Sequence, residues 1–244
     1  MLINGMIASV TPSVIHNNTN QTDHSGYPTF FVTKLLTTIF GTLSILGAIF
    51  IFITYCIWKD IRSNSRKILV YISFADVLVA VCHISGVHDS IPPLNACNVE
   101  AFFNIFAMMS STFWTAAMAI YLYVTTCRRQ IHLAQKMMFF FHIVCWFVPL
   151  TVAALALIFN ALGRSGFLGS AGWCWVRTYN PFHYESWKKG STTPFHLPSR
   201  KEQIFWMILT DYLWKVLAFC IIIILHTLLR VKLKEAVRYF IHLL

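Results

Sequence analysis

Charge is what this chain has least of. Only 11% of its 244 residues are Asp, Glu, Lys or Arg, and nine are acidic, whereas a soluble domain carries about 25% charged residues. With 57% hydrophobic residues and a mean hydropathy of +0.63, this deficit excludes a water-soluble globular domain. Catalytic signatures are missing too. There is no His-Glu-x-x-His run, and none of the histidines, His83, His142 and His226 included, has another four residues away. That spacing would put two imidazoles on one helix face, so no metal and no other cofactor is expected. The chain has neither a Gly-x-Ser-x-Gly nucleophile turn nor a Gly-x-x-x-x-Gly-Lys phosphate cradle, and nothing supports an enzyme. Residues 1–29 hold no Lys or Arg and no continuous apolar stretch, so both parts of a cleaved signal peptide are lacking. No repeat of about 20 to 50 residues is visible.

The net charge of +10 would suit nucleic acid, but the basic residues stand in short runs between apolar segments. That placement predicts contact with a lipid bilayer and no nucleic-acid partner.

What the chain does have is five apolar stretches, at residues 30–57, 68–87, 98–126, 137–162 and 204–229. A spanning helix needs about 20 apolar residues at roughly 1.5 Å each. The expected fold class is therefore an all-α membrane protein, a transmembrane helix bundle. A tail (1–29), a long loop (163–203) and a terminal segment (230–244) complete the expected organisation. Eleven basic residues fall in the two short linkers and the last segment, among them Arg62, Arg66, Lys67, Arg128 and Arg129. Seven lie on the opposite side, six of them in the long loop. Short linkers dominate orientation, which puts the N-terminus outside and the last segment in the cytoplasm of a multi-pass plasma-membrane protein. The sequons at Asn17 and Asn20, in the polar tail, agree with an extracellular, glycosylated N-terminus.

The third stretch is rich in small and hydroxylated residues: Ser110, Ser111, Thr112, Thr115, Ala116, Ala117 and Ala119. Such residues let helix backbones approach closely, so this stretch is predicted to be the centre of the bundle. Gly41, Ser44, Gly47 and Ala48 form a smaller set of the same kind in the first span, and Pro149 interrupts the fourth.

Of the seven cysteines, Cys97 and Cys174 fall in segments placed outside the cell, where oxidation is permitted. They are the candidate pair; two unpaired loop thiols are the rival. Cys127, beside Arg128 and Arg129, has a position compatible with palmitoylation. The glycines at 163, 166, 169 and 172 predict a flexible loop. Ionisable side chains inside a span cost about 2.5–3.5 kcal/mol on insertion scales and are expected to face the interior. Asp76 is one. Asp211 and Lys215, at i and i+4, share a helix face; they either neutralise each other or line a ligand pocket.

The runs SFADVLVA (73–80), SSTFWTAAMAIYLYV (110–124), GWCW (172–175) and FWMILTDYLWK (205–215) resemble G-protein-coupled receptors near the secretin-like and cyclic-AMP-receptor-like branches. The resemblance covers residues 30–240. It implies a receptor transducing an unknown extracellular ligand to a heterotrimeric G protein, with Cys97 and Cys174 as the receptor disulfide. Trp173 and Trp175 would belong to the extracellular lid, and residues 59–67 and 127–136 to the inner loops that contact the G protein. No Asp-Arg-Tyr follows the third span, where Thr125-Thr126-Cys127-Arg128 stands instead, unlike rhodopsin-like receptors. The segment 175–203 is longer than the corresponding loop of such receptors, by an extra stretch over 179–200, and no counterpart of their sixth and seventh spans is expected here. The expectation is a form that inserts but does not signal alone, associates with another receptor chain, and leaves the Ser/Thr face of the third helix partly uncovered. A small multi-span transporter or accessory membrane protein, using Asp76 or the Asp211 and Lys215 pair, is the alternative.

Overall fold

The computed structural model describes residues 26–58, 63–88, 94–164, 173–177 and 199–243. Asn17, Asn20 and Arg62 lie outside the described residues, as does residue 179 through 198 of the long loop. Helices α1 (Gly26–Ile57), α2 (Asn64–His88), α3 (Leu94–Thr126) and α4 (Ile131–Ile158) are followed by strands β1 (Leu162–Arg164) and β2 (Cys174–Val176). Next come α5 (Arg200–Met207), a π-helical turn (Ile208–Tyr212) and α6 (Leu213–Leu243), continuous with one another. Among the described residues, five helical rods are long and apolar enough to cross a membrane, the last running from α5 into α6.

α3 is the centre of the arrangement. It packs against α2, α4, α6, the π-turn and both strands. In its most apolar stretch 61% of residues are buried, against 6% in α1, so α1 turns most of its surface to lipid while α3 turns most of its surface to protein. The Ser/Thr set of α3 is more covered than expected from sequence: Ser110, Ser111 and Thr112 are buried, and Thr115 is half-buried. α2 lies along that face and supplies Asp76, whose Oδ1 accepts a 2.6 Å hydrogen bond from Ser111 Oγ. In α1, Gly41 and Ala48 face inward, with Gly41 close against Ile84, but Gly47 has no neighbour within 4 Å and Ser44 is exposed. A helix turns by about 100° per residue, so position 47 falls well off the face that 41 and 48 share, while 44 lies at its edge.

Two packed clusters fill the bundle. One, beside the hairpin, contains Cys97, Ile105, Met109, Leu162, Cys174 and Val176. The other joins Ile68, Trp114, Tyr121, Phe141 and Cys145. Around Trp114 the rings of Tyr71, His142 and Trp146 gather with centroids 4.8, 5.0 and 5.9 Å away, tilted or edge-on as aromatic quadrupoles prefer.

Several boundaries differ from those read off the hydropathy. α4 begins at Ile131 and ends at Ile158, before Leu162. Asn160 adopts φ 53°, Asn160 N–H bonds Leu157 O at 3.0 Å and Ala161 N–H bonds Ala156 O at 2.9 Å. This is a Schellman termination with Asn in the left-handed position, and it frees the next residues to form a strand. Gly163 is part of β1, paired with Trp175. α5 starts at Arg200, where Ser199 and Glu202 form a reciprocal capping box: Ser199 Oγ accepts from Glu202 N–H and Glu202 Oε2 accepts from Ser199 N–H. At the other end α6 stays helical beyond Leu229, through Leu243.

Candidate functional site

The two-stranded hairpin sits over one end of the bundle and ties four elements together. Its first strand follows directly from the end of α4, and Arg177 N–H bonds Ala161 O at 2.8 Å to close its base. Arg177 is half-buried over Gly163, where any Cβ would meet its Nε at 2.9 Å. Burial weakens the hold of the Arg177 guanidinium on its proton, lowering its pKa.

Cys174 in β2 is disulfide-bonded to Cys97 in α3, with Cα atoms 5.3 Å apart across 77 residues of sequence. One helical turn further along α3, Glu100 Oε1 accepts a hydrogen bond from Cys174 N–H at 3.2 Å. Trp173 reaches α2, where its ring stacks on His83 with centroids 4.2 Å apart and planes 19° from parallel. Gly86, one turn along α2 from His83, makes this approach feasible: a methyl group there would lie 2.6 Å from Trp173 Cβ and 2.7 Å from its Cα. Trp175, buried, meets Tyr212 of the π-turn edge to face, with centroids 6.3 Å apart.

Below the hairpin lies a polar seam. Asn104 of α3 is fully buried and faces His83, yet neither its amide atoms nor His83 Nε2 closes a well-formed hydrogen bond. Asp211 is buried at the π-turn, and Lys215 Nζ lies 2.7 Å from its Oδ1 and 2.9 Å from its Oδ2. Their side-chain exposures, 43% for Lys215 and 11% for Asp211, show that the amine reaches outward while the carboxylate is held inside. Asp76 lies deeper along α2, two helical turns from His83, and is bonded to Ser111. At the opposite end Arg66, Lys67, Arg128 and Arg129 are exposed where α2 begins and α3 ends.

Residues 30–187 match the family described as 7 transmembrane receptor (Secretin family). The chain belongs to this family. As a secretin-family member it is a multi-pass membrane protein of a receptor family, which sets aside the transporter alternative. The chain is 31% identical over 196 residues to "G-protein coupled receptor 157" of Homo sapiens, covering 80% of this chain and 52% of that one. It is 30% identical over 139 residues to "Cyclic AMP receptor-like protein A" of Dictyostelium discoideum, covering 56% and 34%. It is 26% identical over 140 residues to "G-protein coupled receptor 1" of Arabidopsis thaliana, covering 57% and 40%. The chain thus spans about half the length, or less, of the curated relatives it matches.

Of the residues picked out by sequence, the structure brings Cys97, Cys174, Trp173, Trp175, Asp211 and Lys215 to the hairpin end of this receptor-family bundle. It separates them from Asp76 and from the basic residues of the other end. Sequence reading passed over Gly86, Glu100, Asn104, Tyr212 and Trp214. Only Glu100 and Asn104 carried a signal, as polar residues inside a predicted span.

Proposed function

We propose that this chain belongs to an orphan G-protein-coupled receptor that takes up an extracellular ligand beneath the hairpin and transmits the event to a heterotrimeric G protein. The observation carrying this proposal is the disulfide-anchored hairpin at the head of the central helix, in a chain of the secretin receptor family. Asp211, Lys215, Trp173 and Trp175 are the pocket residues. The aromatic rings offer apolar contact area, and the buried carboxylate and outward amine fix the orientation of a polar ligand. Arg66, Lys67, Arg128 and Arg129 face the G protein and the anionic inner leaflet, with Arg62 beside them in sequence. The N-terminus is extracellular at the plasma membrane, with glycans on Asn17 and Asn20. The names of the relatives, two of them G-protein coupled receptors and one cyclic-AMP-receptor-like, support the same activity.

The test is recruitment of isolated Gα proteins of each class to the chain in cell membranes, read by proximity energy transfer. Binding of at least one class, weakened by Arg128→Glu with Arg129→Glu, is the expected result. Binding unchanged by these reversals, or no binding of any class, refutes the G-protein assignment. Orientation is tested separately by glycosidase. A mobility shift that disappears in Asn17→Gln with Asn20→Gln is expected, and its absence in the native chain contradicts an extracellular N-terminus.

A further inference from the structure

The π-turn at Ile208–Tyr212 is an irregularity in an otherwise regular rod, and the structure shows what holds it. In an α-helix Leu213 N–H would bond Leu209 O; here it reaches back five residues to Ile208 O. The Leu209 carbonyl accepts instead from the indole of Trp214, Nε1 to O 2.6 Å. The Trp214 ring is itself set by Phe113 of α3, edge to face with centroids 5.2 Å apart.

The inward-facing residues record the extra residue that such a turn accommodates. Leading into the turn and as far as its middle, Gln203, Trp206 and Thr210 are buried or half-buried, at spacings of three and four, with Met207 and Leu209 half-buried beside them. From the middle of the turn onward, Asp211, Trp214 and Ala218 repeat that spacing. Thr210 and Asp211 are adjacent and both buried, where one helix face would present one of them. A helix advances about 100° per residue, so the turn rotates α5 by one residue's step relative to α6.

We propose that Trp214 is a positioning residue that pins the fifth span in this shifted register, and so presents Tyr212 to Trp175 and Asp211 to the bundle interior at the same time. Without the indole donor the Leu209 carbonyl recovers its partner when the turn tightens to an α-helix. The stretch 200–207 then rotates by about 100° relative to α6, and the Trp175 to Tyr212 contact is lost. The proposal stands on the helix geometry and does not depend on the ligand or the G protein.

The experiment is nitroxide scanning of the full chain in liposomes. Single cysteines are placed from 203 to 224 in a background that keeps Cys97 and Cys174 but replaces Cys56, Cys82, Cys127, Cys145 and Cys220. Oxygen accessibility along a lipid-embedded helix oscillates with its period, and the phase of each half is read directly. The native chain is expected to show a phase jump of about 100° between 203–207 and 213–224. Trp214→Phe, which keeps the ring but not the donor, loses the jump, whereas Trp214→His, which keeps a ring N–H, retains it. A jump that persists in Trp214→Phe overturns the proposal, as does a native chain without one. Should Trp214→Phe fail to insert, Trp214→Leu, which also removes the donor, gives the same answer: loss of the jump is expected in an inserted chain, and failure to insert or a persisting jump refutes the idea.

Discussion

Trp173 lies flat on His83, with ring centroids 4.2 Å apart, in a notch that exists because residue 86 has no side chain. The hairpin therefore has a second attachment, to α2, beside its disulfide to α3. Gly86→Ala puts a methyl group into the Trp173 backbone, and overpacking of this kind costs about 1–3 kcal/mol. The expected outcome is a lower melting temperature in detergent together with faster cleavage of the hairpin by added protease. Unchanged protease sensitivity would mean that the hairpin is not seated through α2.

The Cys97 to Cys174 bond closes a 77-residue separation. In the chain-entropy model a loop of that size contributes about 4 kcal/mol. Cys97→Ser, Cys174→Ser and the double variant are expected to lose similar stability, because each removes the same bond. Peptide mapping under non-reducing conditions checks the pairing, and a free Cys97 thiol in the native protein would contradict it.

Ser111 donates to Asp76 across α2 and α3, 35 positions apart in sequence. Ser111→Ala takes away that donor and costs about 1–3 kcal/mol, several degrees of melting temperature. Asp76→Asn keeps an acceptor oxygen for the same hydroxyl and is expected to be milder than Asp76→Leu. A thermal series on the three variants reads the order.

Asp211 and Lys215 are unequal partners, since the carboxylate is buried and the amine is half in contact with its surroundings. Lys215→Met leaves a buried carboxylate unpaired, which costs about 3–5 kcal/mol where burial is complete and less at this partly open site. Asp211→Asn is expected to be less damaging because the freed amine extends outward. Asp211→Asn with Lys215→Met should recover most of the loss. Additive losses in the double variant would show that the pair is not coupled.

Much of the bundle was legible in the chain itself. Apolar run length located the five spans, and the small residues of α3 marked it as central. Compartment reasoning selected Cys97 and Cys174, and the bond is present. Boundaries were less legible where a single residue decides them. The Ser199 and Glu202 capping box that starts α5 was not read from the sequence, because the Arg-Lys pair between its two members hid the start behind charge. Asn160 gave no hydropathy signal that it would end α4.

What the sequence determined by itself are the properties set locally, above all which stretches are long and apolar enough to cross a bilayer. Hydrocarbon thickness acts on each segment alone. Only the tertiary structure decided that Ser111 meets Asp76, that Trp173 finds His83 over Gly86, and that the fifth span carries a π-turn held by Trp214. Those contacts depend on the rotation of each helix about its own axis. One residue of register turns a face by about 100°, and the packing of neighbouring helices, not the composition of any one of them, chooses among the rotations.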